Sequence, residues 1–165
     1  MKAKILSLLL PILFVFTIVS CSPNSSDEEK VYENQVMNYD YNANEIELTK
    51  LINEYRVSIG LNELTIINHI SYKSEEHNEY MIANNVVDHA YFQERSDNII
   101  HILGAIKVSE NVAYNYNTPQ AVLSAWLNSA GHKETIEGDF THFGISVTVS
   151  PETGKKYYTN IFIKK

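Results

Sequence analysis

Cysteine is nearly absent from this sequence, whose 165 residues include a single one, Cys21. One thiol cannot form an intrachain disulfide, and zinc sites built from several thiolates are excluded as well. Glycine and proline are also scarce, at 6 and 4 residues, and no glycine-rich phosphate loop occurs. The length allows one domain of ordinary size, since a domain takes roughly 100 to 200 residues.

Positive charge is in short supply. Lysine and arginine number 13 against 20 acidic residues, which gives a formal net charge of −7. Because nucleic-acid binding rests largely on contacts to phosphate, we expect no nucleic-acid partner. Apolar residues make up 44% of the chain, which is typical of a globular protein and excludes wholesale disorder.

The one long apolar run, Ile5–Val19, falls short of the roughly 20 residues that cross a membrane. Lysines precede it and Ser20-Cys21 follow it, which is the layout of a secretory signal peptide. Ile18-Val19-Ser20-Cys21 resembles the bacterial lipobox, in which cleavage leaves a lipid-carrying cysteine at the N-terminus. We predict a lipoprotein signal peptide over residues 1–20 and lipidation of Cys21. A transmembrane anchor and an ordinary secreted protein are the alternatives.

Residues 21–44 are polar and aperiodic, and we predict a flexible tether there. Within it, Ser26-Asp27-Glu28-Glu29 is similar to export signals of surface lipoproteins in some Gram-negative bacteria, and a solvated charge run is an equally good interpretation. We therefore expect an exported protein that is lipid-anchored in the bacterial cell envelope. The membrane is then a partner through the lipid, and the surface of the outer membrane is one candidate location.

Three helices are predicted from apolar spacing and end signals. The first is capped by Asn42 or Asn44 and stopped by Gly60. The second spans about 68–85, and its inward face consists largely of small residues, which predicts close packing. The third begins at Thr118-Pro119, with the hydroxyl as cap and proline in the first turn.

In the last third of the chain, the spacing of apolar residues changes from helical to alternating. Residues 143–149 and 157–163 alternate apolar and polar side chains around the turn at 151–154, which predicts a hairpin. A further strand is predicted at 105–108. Helices first and antiparallel strands late indicate an α+β domain, which we place at residues 45–165.

The chain has 6 histidines, and simple motifs do not explain them. His77-Asn78-Glu79 matches half of the zinc deaminase signature, but the paired cysteines are missing. No His-Glu-x-x-His helix occurs. Ser129 lies three residues before His132, and a structural turn is the simpler interpretation of that spacing.

Four segments that occur in a fixed order along the chain indicate a protein family more specifically than any single motif does. They are His89–Arg95, Ser109–Ala113, Ala125–His132 and Phe140–Val147. A further segment, 51–56, precedes them near the start of the domain. This set resembles the CAP superfamily, the SCP-like domain of cysteine-rich secretory proteins, venom antigens and plant pathogenesis-related proteins. The bacterial, disulfide-free branch is nearest, and the resemblance covers residues 45–162.

The resemblance implies a three-layer α-β-α sandwich with a central, mostly antiparallel sheet and a cleft. Family members line that cleft with two histidines and two acidic residues, a group able to hold a divalent metal such as zinc. His89, Glu110 and His132 occupy three of these positions. The fourth falls on Ser129 or is vacant.

Two imidazoles and one carboxylate suit Zn²⁺ and leave a coordination position for water. The same side chains can instead form a hydrogen-bonded network that braces the cleft. The first functional hypothesis is therefore a non-enzymatic binding module for a lipid, a glycan or a protein. The alternatives are a metal-dependent hydrolase of peptide or ester bonds that uses His89, Glu110 and His132, and a purely structural envelope protein.

Overall fold

The computed structural model describes residues 35–165. Within them the elements are α1 (Ala43–Ser58), β1 (Thr65–Ile66), α2 (Asn68–Asn84), α3 (Phe92–Leu103), β2 (Lys107–Tyr114), α4 (Pro119–Leu127), α5 (Ala130–Ile136), β3 (His142–Val149) and β4 (Lys156–Lys164). The strands form one sheet in the order β1-β3-β4-β2. Only the short β1 pairs in parallel; β3 with β4 and β4 with β2 are antiparallel.

Helices cover both faces of this sheet. On one face, α2 and α3 bury side chains against β4, among them Ile70, Ile99, Leu103, Ile161 and Ile163. On the other face, α1, α4 and α5 contribute to a larger core with Leu48, Ile52, Val122, Trp126, Ile136, Phe143 and Phe162. The α+β class and the three-layer α-β-α sandwich with a mostly antiparallel sheet are confirmed.

The first helix begins and ends as its end signals predict. The side chain of Asn42 accepts hydrogen bonds from the backbone of Asn44 and Glu45, while the Glu45 carboxylate accepts the Asn42 N–H at 2.8 Å. This reciprocal capping box satisfies N–H groups that a helix start otherwise leaves unpaired. The Glu45 carboxylate also accepts the Val147 N–H at 2.7 Å, which ties α1 to β3. Gly60, at φ 83°, follows the end of the helix.

The second helix lies close to the sheet, as its small residues predict. Ser71 and Ser74 are fully buried, and the Ser74 hydroxyl donates to the Gly144 carbonyl at 3.2 Å. Gly144 leaves no room for a side chain, because a Cβ there would overlap the Ser71 backbone nitrogen and lie 2.5 Å from Ile70 Cβ. α2 therefore rests directly on the backbone of β3.

Two helices, α3 and α5, are absent from the prediction made from the sequence. Neither has a side-chain cap, since α3 follows Tyr91 in a left-handed conformation and α5 follows Ser129 without a cap hydrogen bond. Start signals that rest on capping side chains therefore fail for both. The interpretation of Ser129 to His132 as a turn is wrong, because α5 begins at Ala130, directly after Ser129, and includes His132.

The strands are predicted in part. The hairpin of β3 and β4 is confirmed, with Gly154 at φ 69° in the turn. The strand predicted at 105–108 is β2, which begins at Lys107 and continues to Tyr114. The polar residues Ser109 to Asn111 interrupt the apolar pattern, and for that reason the sequence shows only the start of this strand.

Part of the predicted tether belongs to the domain. The Tyr39 hydroxyl donates to the Glu45 carboxylate at 2.6 Å, and the Tyr41 hydroxyl donates to Asn68 Oδ1 at 3.1 Å. The Met37 N–H donates to His69 Nδ1, so the segment is bound to the domain from residue 37 onward. The predicted signal peptide, Cys21 and the rest of the tether lie outside the described residues. Among residues 35–165, no helix is both long and apolar enough to span a membrane.

Candidate functional site

Glu110 is the centre of a polar cluster on β2. Its side chain is 1% exposed. The Arg95 guanidinium of α3 donates to both carboxylate oxygens at 2.8 to 3.0 Å. His89 Nδ1 lies 2.8 Å from the same carboxylate. The bidentate geometry is typical of strong arginine–carboxylate pairs, and it engages both oxygens of Glu110.

His89 stands at the surface of this cluster, on the loop between α2 and α3. Its side chain is 51% exposed, whereas the carboxylate that holds it is buried. Because the carboxylate accepts the hydrogen of Nδ1, the neutral ring presents Nε2 to solvent as an acceptor. The hydrogen bond that His89 donates to the Glu110 carboxylate raises the pKa of His89. The loop is itself fixed, since Arg95 Nη1 donates to the Ala90 carbonyl at 2.7 Å.

Arg95 is a site residue that the sequence interpretation missed. Arg95 is the last residue of the segment His89–Arg95, which carries part of the family resemblance, and it lies six residues after His89. Charge balance, rather than a sequence motif, could have identified Arg95. A carboxylate in the middle of a buried strand requires a cationic partner, and Arg95 is the arginine nearest to it in sequence.

A second histidine, His77 of α2, also faces Glu110. Its side chain is fully buried, with Nε2 3.9 Å from Glu110 Oε1. Nε2 donates to the Asp88 carbonyl at 2.8 Å, which leaves Nδ1 as an acceptor with no partner among the described residues. Burial lowers the pKa of His77, so the ring is neutral and contributes no charge to balance Glu110.

His132 lies on α5, beside β2. Asn111, the neighbour of Glu110 on the strand, donates from its side chain to the His132 carbonyl at 3.0 Å and holds α5 in place. His132 and Ser129 line a cavity of about 230 Å³, together with Val112, Ala113, Tyr114, Tyr116, Ala125 and Trp126. Burial, and secondarily the charge of His89, lowers the pKa of His132.

The structure shows how two of the predicted cleft residues are bonded. His89 and Glu110 are hydrogen-bonded to each other. Among the hydrogen bonds of residues 35–165, none links the His132 side chain to either of them. Ser129, the predicted fourth position, shares the cavity with His132.

These residues do not fit a three-ligand metal centre in the arrangement that the structure has. Within residues 35–165, no group of three or more His, Cys, Asp or Glu side chains lies so that it could hold a metal ion. The chemistry of Glu110 gives the reason, because the positive charge of Arg95 occupies the carboxylate that would have to bind the cation. The cluster in this arrangement therefore supports no reaction step through a metal.

The architecture and the histidine–carboxylate cluster define an SCP-like sandwich, and sequence comparison gives the same class. Residues 49–162 match the model of the CAP family, described as the cysteine-rich secretory protein family. The chain belongs to this family. Two curated relatives from Bacillus subtilis (strain 168) are similar to it. The "Uncharacterized membrane protein YlbC" is 32% identical over 74% of this chain, and the "Uncharacterized protein YkwD" is 30% identical over 66%. The chain spans 35% and 44% of their lengths.

Solved structures have the same fold. An outer surface protein of Borrelia burgdorferi is similar with a TM-score of 0.68 and 22% identity over 79% of this chain and 99% of its own. An extracellular protein with an SCP domain from Bacillus anthracis has a TM-score of 0.65 and 27% identity, over 74% of this chain and 40% of its own. A cysteine-rich secretory protein from Staphylococcus aureus has a TM-score of 0.61 and 24% identity, over 74% and 39% of the two chains.

Proposed function

We propose that this CAP-family chain is an exported, lipid-anchored binding module of a bacterial envelope, and that it does not act as an enzyme. Its ligand, a lipid, a glycan or a protein, contacts the surface between His89 and His132. The observation that carries the proposal is the state of Glu110, whose two oxygens are held by Arg95 and His89. A carboxylate that is paired in this way is unsuited to act as a general base or as a metal ligand.

The location rests on the sequence and on the relatives. The lipobox-like run that ends at Cys21 supports export and lipidation. Two of the similar solved proteins are described as an outer surface protein and an extracellular protein. A lipid on Cys21, followed by a polar segment, would hold the domain at the membrane surface.

The alternative function, a metal-dependent hydrolase, makes a different demand on the same residues. It needs His89, Glu110 and His132 to share one cation, with Glu110 released from Arg95. Since ligation requires neutral imidazoles, zinc affinity in that case should fall as the pH drops through roughly 6.5. Calorimetry therefore separates the two functions.

We expect no saturable heat when Zn²⁺ is titrated into the purified protein at pH 7.5 or at pH 6. We also expect no turnover of fluorescent casein or p-nitrophenyl acetate above that of a buffer blank. His89→Ala and His132→Ala should leave both results unchanged, as should the control His101→Ala, which removes an exposed histidine of α3.

The opposite pattern would decide for the hydrolase. Saturable zinc binding at pH 7.5 that weakens at pH 6 and disappears in both cleft variants, but not in His101→Ala, contradicts the proposal. Zinc-dependent turnover with saturation kinetics contradicts it as well.

A further inference from the structure

Asn160 of β4 is a fully buried amide that the protein leaves without a hydrogen bond. The residue is 0% exposed, and neither its Oδ1 nor its Nδ2 has a partner among residues 35–165. Buried polar side chains are almost always hydrogen-bonded, because an amide without partners in an apolar core is costly. This side chain therefore calls for a partner that can both donate and accept a hydrogen bond.

Strand alternation places Asn160 on the face of the sheet that α1, α4 and α5 cover. Tyr158 and Phe162, two positions before and after it, belong to the core on that face. In the register of the sheet, Ile145 of β3 lies opposite Asn160 on one side and Asn111 of β2 on the other. These four neighbours carry no charge, and one of them is polar.

The polar neighbour, Asn111, lies within reach of Asn160. Residues that lie opposite each other in an antiparallel pair have Cβ atoms about 4.5 to 5.5 Å apart. Asn111 is 1% exposed, and its Nδ2 donates to the His132 carbonyl at 3.0 Å, which uses one of its two hydrogens. Since Asn160 has no partner, the two amides do not bond each other directly. The second hydrogen of Asn111 and both polar groups of Asn160 are thus left for a third molecule.

A buried amide on the other face of the sheet has all its partners within the protein. Asn78 of α2 is also 0% exposed, and its Nδ2 donates to the Ser146 carbonyl at 3.0 Å and to Thr148 Oγ1 at 3.1 Å. Its Oδ1 accepts from the Thr159 hydroxyl at 2.7 Å. The protein therefore satisfies Asn78, whereas Asn160, the neighbour of Thr159 on β4, receives no such partners.

We propose that Asn160 binds one buried water molecule, which bridges it to Asn111 and so joins β4 to the residue that holds α5. Water both donates and accepts, and a buried water makes about three hydrogen bonds, which the two amides can supply. The uncharged neighbours do not favour an ion, and full burial excludes a larger ligand. The short Asn160 side chain, between the rings of Tyr158 and Phe162, leaves room for a molecule that takes about 30 Å³. The inference does not depend on the proposed binding function.

Water-selective ROESY spectra of ¹⁵N-labelled wild-type protein test the proposal. We expect the side-chain NH₂ of Asn160 to show a cross-peak to water with a sign opposite to the diagonal, which marks proximity rather than hydrogen exchange. Asn78 is the internal control, because it is equally buried and is bonded by the protein itself. Its NH₂ should show no such cross-peak.

The number of bound waters gives a second measurement. Leucine at position 160 has no polar atom and a larger apolar side chain, so Asn160→Leu should displace the water. Oxygen-17 relaxation dispersion counts long-lived water molecules, and we expect the count to fall by one in this variant. Asn84→Leu is the matched control, since it replaces an exposed amide of α2 and should leave the count unchanged.

Different results in either measurement would overturn the inference. A missing cross-peak at Asn160, or equal cross-peaks at Asn160 and Asn78, would show that no water is bound to Asn160 specifically. An unchanged count of long-lived waters in Asn160→Leu would show the same. If this variant does not fold, the cross-peak of the wild type decides alone. Zinc binding and turnover, which test the proposed function, have no bearing on these results.

Discussion

Replacing Arg95 by methionine should lower the free energy of unfolding by about 3 to 5 kcal/mol at pH 7. Methionine keeps much of the side-chain volume but removes the guanidinium that donates to both oxygens of Glu110. The carboxylate, which is 1% exposed, would then be buried with His89 as its remaining hydrogen-bond partner. Urea unfolding followed by circular dichroism measures the loss.

The pH dependence of this loss identifies its origin. An unpaired buried carboxyl is protonated more readily, so the deficit of Arg95→Met should shrink as the pH is lowered from 8 to 5. The double variant Arg95→Met/Glu110→Leu should recover much of the stability, because no buried charge remains.

Lys50 gives the matched control. Its ion pair with Glu54 on α1 is solvent-exposed, so Lys50→Met should change stability by less than about 1 kcal/mol. A loss in Arg95→Met no larger than that of Lys50→Met would contradict the buried pair. A loss that is independent of pH and persists in the double variant would instead indicate a packing defect.

The second large effect is expected at Gly144 on β3. A Cβ at this position would overlap the backbone of Ser71 and approach Ile70, both in the first turn of α2. Because backbone atoms cannot move aside as a flexible side chain can, Gly144→Ala must displace the helix from the sheet. We expect a loss of about 3 kcal/mol, at the upper end of ordinary overpacking. Thermal and urea unfolding measure it.

Gly131 is the corresponding control, since it lies in α5 and a Cβ there meets nothing within 4 Å. Gly131→Ala should leave stability unchanged or raise it by up to about 1 kcal/mol, because alanine favours a helix. Equal stabilities of Gly144→Ala and Gly131→Ala would show that α2 does not lie as close to β3 as the structure has it.

The sequence predicts the helices that begin at a capping side chain, and it also predicts α2, which has no side-chain cap, from the small residues of its inward face. Asn42 and Thr118 act as side-chain caps in the structure, and the helices that follow them are predicted. α3 and α5 start without such caps and are missed. The hairpin is predicted because its alternation is long, whereas β2 is predicted too short because of its polar middle. Local signals thus account for most of the fold, and the remaining elements depend on packing.

The candidate site can be predicted only in part, because its contacts are distant in sequence. The family resemblance locates His89 and Glu110, and their hydrogen bond spans 21 positions. Spacing does not show which cation balances a buried carboxylate, so Arg95 is missed. The helix that carries His132 is bound to β2 through Asn111 and not through Glu110, since adjacent residues of a strand point to opposite faces. Glu110 bonds His89 on one face, and Asn111 bonds α5 on the other.

The polar cluster also explains how a surface histidine is held in one orientation. His89 is half exposed, yet its Nδ1 is fixed by a carboxylate that Arg95 holds from the other side. The arrangement fixes the ring through Nδ1 and leaves Nε2 available to a ligand. The central claim is therefore that Glu110 is committed to Arg95 and His89 and is unavailable to a metal.

The most direct test of this claim is the state of the His89 ring, measured by long-range ¹H–¹⁵N NMR across a pH titration. We expect a pKa above the ordinary 6.5, a neutral ring with its hydrogen on Nδ1, and no change in these signals on addition of Zn²⁺. In Glu110→Gln the pKa of His89 should fall, because the charge of the hydrogen-bonding carboxylate raises it. A neutral ring with its hydrogen on Nε2, an unchanged pKa in Glu110→Gln, or a zinc-induced shift of His89 together with His132 would contradict the account.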